Sequence, residues 1–255
     1  MADPGLAELS GLAASRRTPG VLWAVGDSQS AAEVVAIDES GRVLARLAVE
    51  GARNVDWEDL AVIGSPDRLV IADTGDNLAE RTRVALVVVP EPDVDLAAAE
   101  PARLTAVAER WVLHWPDHPR DAEAVLAAPE GEELLLLSKV LFGGAEVARV
   151  PADAGPDGPV TLELVGEVRT GLGAVVTGGA VAPDGSAVVL RTYTSLLVYD
   201  RPPGGSLLDA LAGDPCRPDA PPERQGEAVT VLDGGRGLLT VSEGGDQPVW
   251  LVPAG

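Results

Sequence analysis

Short apolar runs, each closed by Gly, Pro, Asp or Asn, follow one another along the whole chain. This is the pattern of strands joined by tight turns. The first stretch gives Val21–Asp27, Glu33–Asp38 and Val43–Val49, with Asp38-Glu39-Ser40-Gly41 as the hairpin between the last two. Three runs follow at Arg68–Asp73, Arg83–Val89 and Ala106–Leu113, and three more at Glu133–Ser138, Ala145–Val150 and Val160–Val168. Beyond them lie Ala187–Thr192, Ser195–Asp200, Arg236–Ser242 and Pro248–Val252. The nearest helical pattern, Ala97–Ala108, is interrupted by Pro101, and a short helix is expected only at Ser206–Ala212, inside the Pro- and Gly-rich excursion Pro202–Pro222. The pattern argues against helix-rich α/β folds.

Five segments of small or acidic residues lead into apolar strands. They are Glu8-Leu9-Ser10-Gly11-Leu12-Ala13, Trp57-Glu58-Asp59-Leu60-Ala61-Val62, Asp121-Ala122-Glu123-Ala124-Val125, Thr177-Gly178-Gly179-Ala180-Val181 and Gln225-Gly226-Glu227-Ala228-Val229. Aligned on Gly11, Asp59, Glu123, Gly179 and Glu227, they recur at steps of 48, 64, 56 and 48 residues, a period suited to propeller blades of four strands. The expectation is an all-β chain, residues 1–255, forming a single β-propeller of five blades of about four antiparallel strands. The blades fall near 8–50, 57–115, 121–169, 175–219 and 225–255, the last one strand short. Six blades is the alternative.

Composition narrows the chemistry. Of 255 residues only eight are aromatic (Trp 5, Tyr 2, Phe 1), so the core is Val, Leu, Ile and Ala. Forty acidic against 19 basic residues give a net charge of −21. No basic stripe is present to displace counterions, which argues against nucleic acid and anionic membrane as partners and leaves a small-molecule ligand or substrate and a monomeric state as the expectation. The single Cys216 excludes an intrachain disulfide and a thiolate zinc site. The start, Met1-Ala2-Asp3-Pro4, does not read as a signal peptide, which suits a cytoplasmic protein or an extracellular mature form.

In a propeller the start of each innermost strand and the end of the next meet at one mouth of the channel. Aligning the segments on their acids gives Gly11, Asp59, Glu123, Gly179 and Glu227 as starts, and Asp27, Asp73, Lys139, Arg191 and Glu243 as ends. Six carboxylates and two cations, including the chain's sole lysine, are expected to converge there. Crowded, partly shielded carboxylates must rise in pKa or gain cations. A hard cation, Ca²⁺, suits an all-oxygen shell. Asp59, Glu123, Glu227, Asp27 and Asp76 are the candidate metal ligands. Asp76 belongs to Asp73-Thr74-Gly75-Asp76-Asn77, which resembles a calcium-binding turn without EF-hand spacing and reads equally well as an Asx turn. Asp73, Lys139, Arg191, Glu243 and His118 are the candidate catalytic groups. Gly-x-Ser-x-Gly, P-loop, dinucleotide and zinc signatures are absent.

The five segments occur in order with Ala72-Asp73-Thr74-Gly75-Asp76-Asn77 and Val189-Leu190-Arg191-Thr192-Tyr193. Together, from about residue 8 to 252, they resemble actinobacterial β-propeller proteins grouped with the "esterase-like activity of phytase" family. The resemblance implies a propeller, commonly exported, whose activity is mostly unassigned despite the family's name, so it bears on the fold more than on the reaction. The mouth has fewer phosphate-binding Lys and Arg side chains than β-propeller phytases carry, which speaks against a phosphate-rich substrate. The reading is a Ca²⁺-assisted hydrolase of an ester or phosphoester. Asp59, Glu123 and Glu227 hold the ion in this reading, Asp73 or Glu243 acts as base, and Lys139 with Arg191 stabilises the oxyanion. The alternatives are a non-catalytic ligand- or protein-binding propeller, and a metal-free biosynthetic lyase or cyclase using the same charged mouth.

Overall fold

Five sheets, built mainly of antiparallel strands, surround a central axis in the computed structural model, which describes residues 6–27, 31–140 and 143–254. The first runs outward through β1 (Leu9–Ala14), β2 (Val21–Gly26), β3 (Glu33–Asp38) and β4 (Val43–Glu50). The second uses β5 (Trp57–Ile63), β6 (Arg68–Asp73) and β7 (Arg83–Pro90). After it the chain crosses back as β8 (Ala102–Val107) and continues into β9 (Glu109–His114). The third has β10 (Ala122–Ala127), β11 (Leu134–Ser138) and β12 (Gly143–Arg149). The next extended stretch divides into β13 (Val160–Thr161) and β14 (Glu163–Gly171). The last two sheets have three strands each: β15 (Val176–Val181), β16 (Ala187–Thr192) and β17 (Leu196–Asp200), then β18 (Gly226–Leu232), β19 (Gly237–Ser242) and β20 (Val249–Pro253). The arrangement is a five-bladed β-propeller. No helix of the described residues is long and apolar enough to cross a membrane.

The outer strands depart from the expected four antiparallel strands per blade. The predicted single run Ala106–Leu113 changes partner at Ala108. Before it, β8 pairs parallel with β4 of the first blade, and after it β9 pairs antiparallel with β7 of the second. Likewise Val160–Val168 divides at Leu162, so that β13 pairs parallel with β9 while β14 completes the third blade. Two extended stretches thus each tie neighbouring blades together. In the fourth blade the outer position is taken by a single bridge, Val198 to Cys216. The predicted helix forms as α1 (Leu207–Leu211), with Ser206 and Asp209 as a reciprocal capping box, and it buries Leu207, Ala210 and Leu211.

Each interface between blades has its own apolar cluster, which explains why the strands read as continuous Val, Leu and Ala runs: they are covered on both faces. Trp23, Trp57 and Ile71 fill the first interface, and Val70, Leu86 and Leu136 the second. Leu126, Leu190 and Tyr199 fill the third. The ring closes where Leu9, Leu12 and Ile37 of the first blade meet Leu239 and Val241 of the last. The smallest cluster, Val189, Leu196, Val229, Leu238 and Val252, lies between the fourth and fifth blades. Beside it is a largely apolar cleft of about 440 Å³.

Every inner strand carries a bulge one residue after its first pair. Ser10, Glu58, Glu123, Thr177 and Glu227 are the unpaired residues, flanked by Leu9/Gly11, Trp57/Asp59, Ala122/Ala124, Val176/Gly178 and Gly226/Ala228. Such a bulge re-aims a side chain without breaking the ladder. The residue after the bulge of β5 is Asp59, which is fully buried on the axis. Its carboxylate accepts hydrogen bonds from the N–H groups of Leu60 (2.8 Å), Val125 (2.9 Å) and Gly179 (3.3 Å), joining three blades. Gly11 lets β1 approach the same strand, since a Cβ there would stand 2.6 Å from Asp59 Cα.

Asp59→Ala leaves those three buried donors without an acceptor. It is expected to lower stability by about 3 kcal/mol or more in urea unfolding, with Asp59→Asn costing less. Native-like stability of the Ala variant would show that packing alone holds the axis.

Candidate functional site

The bulges and the residues that follow the second strands set the site. Bulge residues Ser10, Glu58, Glu123 and Glu227 line one polar cavity of about 250 Å³, together with Asp27, Lys139, Tyr193 and Glu243, each of which follows the last residue of a second strand. Asn77 and Gln225 complete the lining. The larger cleft lies at the other end of the strands, by the β18–β19 turn, and is lined mostly by apolar residues, with Asp184, Ser186 and Asp233 among them.

At the centre of the acidic side is Glu58. Its carboxylate is 6% exposed as a residue and accepts no hydrogen bond from any described residue. Ligand oxygens of Asp27, Asp56 and Glu58 lie within 4.8 Å of one another, and so do those of Glu58, Asp121 and Glu123. The turn that begins at Asp73 makes room for them. A Cβ on Gly75 would stand 2.0 Å from Glu58 Oε1 and 2.6 Å from the Asp56 carboxyl, so only glycine allows both carboxylates against this loop. The loop is held by Asp76, whose carboxylate accepts from the N–H groups of Glu80 (3.0 Å) and Arg81 (2.6 Å) and whose own N–H donates to Asp121 Oδ1 (2.7 Å). An all-oxygen set of this density is one that a hard cation fits.

On the facing side Lys139 Nζ donates to Glu123 Oε1 at 2.8 Å and stands 5.9 Å from the centre of the Tyr193 ring. Gln225 Nε2 donates both to Glu227 Oε1, at 2.9 Å, and to Glu243 Oε2. Burial, reinforced by neighbouring carboxylates, raises the acids. Glu58 goes well above the ordinary range, Glu123 rises to about 8 against the pull of Lys139, and Glu227 rises to about 7 against its Gln225 bond. Asp56 rises to about 7 through burial and a hydrogen bond with Asp27. Burial opposes charge on Lys139, but Glu123 outweighs it and holds the lysine above its ordinary value. Lys139 and Glu123 thus form a close pair at 2.8 Å in which each favours the charged form of the other against burial.

The structure brings Asp27, Glu123, Lys139, Glu227 and Glu243 together in this cavity. The other predicted residues lie elsewhere. Asp59 sits deeper on the axis with its carboxylate oxygens occupied by backbone donors. Asp73, the last residue of β6, is buried in an ion pair with Arg81 (2.9 Å), and Thr74, which follows it, is buried with its hydroxyl donating to the Ala122 carbonyl rather than lining the cavity. Asp76 braces its own loop. Arg191 is fully buried, pairs with Glu223 and lies against Gly226, while Tyr193, two residues on, takes the mouth position. His118 is exposed and faces Asp117 (3.2 Å), outside the lining. Asp56, Glu58, Asp121, Tyr193 and Gln225 were not among the expected site residues. An alignment anchored on the apolar residue before each bulge, rather than on the acids, would have pointed to Glu58.

No protein-family model and no curated protein matches the sequence. Solved structures do match in fold. A gluconolactonase from Xanthomonas campestris is similar at TM-score 0.52 and 14% identity over 98% of this chain and 73% of that one. Kuenenia stuttgartiensis hydrazine synthase matches at TM-score 0.49 and 11% identity, over 98% of this chain and 97% of that one. The Myceliophteria thermophila Cps50 (Swd1) β-propeller domain matches at 0.44 and 15%, over 96% and 82%. This chain has the β-propeller fold.

Stability is expected to fall as pH rises from about 5 to 8. Glu227, with a folded pKa near 7 against an ordinary 4.5, keeps its proton in the fold after the unfolded chain has lost its own, so the folded state loses ground through that window and levels off above it. The shift corresponds to about 3 kcal/mol for this group. Thermal unfolding across pH should show the slope, and Glu227→Gln should make it shallower, the remainder coming from Asp56, Glu58 and Glu123. An unchanged slope in that variant would remove Glu227 as one of its sources.

Proposed function

We propose that the protein is a divalent-cation-dependent hydrolase of small polar esters, including cyclic esters, acting at the acidic mouth. What carries this reading is Glu58, a buried carboxylate without a hydrogen-bond donor, set among four further carboxylates and facing a Lys139–Tyr193 pair across one cavity. Glu58, Glu123, Asp121, Asp56 and Asp27 are the residues that would hold the cation. The gluconolactonase among the fold neighbours belongs to the same reaction class, while at 14% identity the structural likeness itself speaks for the fold alone.

A bound divalent cation would polarise the ester carbonyl and lower the pKa of a bound water. The chain's own groups supply the rest. Glu227, raised by burial to about 7 and oriented by Gln225, is poised to take the proton from the attacking water. The Lys139 ammonium and the Tyr193 hydroxyl stand where they can donate to the oxyanion as the water oxygen bonds to the carbonyl carbon. When the C–O bond to the alcohol breaks, Glu227 returns its proton to the departing alkoxide. Water is consumed, and an open ester gives one acid and one alcohol, a cyclic ester one hydroxy acid. The cavity of about 250 Å³ admits a small polar substrate rather than a long acyl chain.

Protein stripped with chelator and then supplied with Ca²⁺ is to be assayed on a panel of lactones and p-nitrophenyl esters. Turnover should require the ion. Glu227→Gln should lose about 100-fold or more in kcat, as befits a general base, with Ca²⁺ binding intact. Equal turnover by stripped protein, or by Glu227→Gln, would overturn the assignment.

A further inference from the structure

The two acidic triads share Glu58, and this sharing has a consequence for how many ions the mouth takes. Asp27, Asp56 and Glu58 form one set of converging oxygens, and Glu58, Asp121 and Glu123 form the other. Among the described residues no basic side chain forms an ion pair with Asp56, Glu58 or Asp121. Lys139 reaches only Glu123, and Arg81 is engaged by Asp73. Asp27 and Asp56 do not converge with Asp121 and Glu123 in one set, and only Glu58 belongs to both triads. An ion in the first triad leaves Asp121 and Glu123 with one ammonium between them. Glu58 itself, more than nine-tenths buried and accepting no hydrogen bond from any described residue, has both oxygens free for ligation.

We infer that the mouth binds two hard divalent cations, with Glu58 as the ligand common to both. The inference rests on the cation-dependent reading above and deepens it. Each triad contributes three oxygens, about half of a Ca²⁺ shell, and the loop that begins at Asp73 adds the Asn77 side chain to the cavity lining. Gly75 is the wall of the shared position. It contributes no side-chain oxygen, yet any Cβ there occupies the place of Glu58 Oε1. Substituting it therefore disturbs both ions without deleting a carboxylate.

The test is calorimetric titration of the chelator-stripped full chain with Ca²⁺. The native protein should take up two ions, Asp56→Asn one and Asp121→Asn one. Glu58→Gln and Gly75→Ala should weaken both by about 100-fold or more, with circular dichroism checking that each variant is folded. Should Glu58→Gln or Gly75→Ala fail to fold, the Asp56→Asn and Asp121→Asn stoichiometries decide alone. One ion in the native protein, lost in Glu58→Gln, would overturn the shared site and leave the cation-dependent hydrolase standing. Two ions retained in both Asn variants would overturn it as well, because the ions would then sit elsewhere on the acidic surface. No Ca²⁺ uptake by the native protein would overturn both readings.

Discussion

Side chains alternate across a strand, so inserting one unpaired residue near its start turns the side chains beyond it to the opposite face. All five inner strands make that insertion at the same level. The bulge brings Ser10, Glu58, Glu123 and Glu227 to the mouth while their immediate successors turn to the axis or to the blade interfaces. Without it, Asp59 would exchange places with Glu58, the three-blade hydrogen-bond junction would be lost, and the carboxylates of the mouth would be scattered. Position of charge and closure of the ring are set by one local feature repeated around the axis.

The opposed sides of the mouth follow from that placement. Four of the five inner strands deliver an oxygen side chain to the cavity, and the chain's sole lysine arrives from the end of β11. Burial makes the carboxylates reluctant to ionise, while Lys139 and Glu123 each favour the charged form of the other. Proton acceptors and a positive charge therefore face one another across a few ångströms, an arrangement suited to moving a proton near neutral pH. Gln225 keeps Glu227 and Glu243 from swinging apart.

Much of the architecture could be read from the order of residues. Apolar runs bounded by Gly and Pro located nearly every strand, and the recurrence of small or acidic starts led to five blades. What alternation could not reveal is which sheet a strand joins. Ala102–Val107 and Val160–Thr161 look like ordinary edge strands, and their parallel pairing with the preceding blade depends on tertiary geometry. The mouth was legible to within a residue or two. Asp59 aligned with Glu123 and Glu227 by chemical type, yet by register their equivalent is Glu58. Asp73 and Arg191 were chosen for charge, where Thr74 and Tyr193 follow the strand ends and only Tyr193 lines the cavity. A bulge has no residue signature of its own here, as Ser, Glu and Thr all occupy it.

The interfaces of the ring are unequal. The fourth and fifth blades lack full fourth strands, share the smallest apolar cluster and flank the open cleft. The seam between these two blades also runs through the mouth, because Gln225, Glu227 and Glu243 come from the fifth blade and Tyr193 from the fourth, while Asp27, Glu58, Glu123 and Lys139 belong to the first three. The shared carboxylate set and the proposed proton acceptor are therefore carried by separate parts of the ring, and the packing of the thinnest apolar cluster fixes the distance between them.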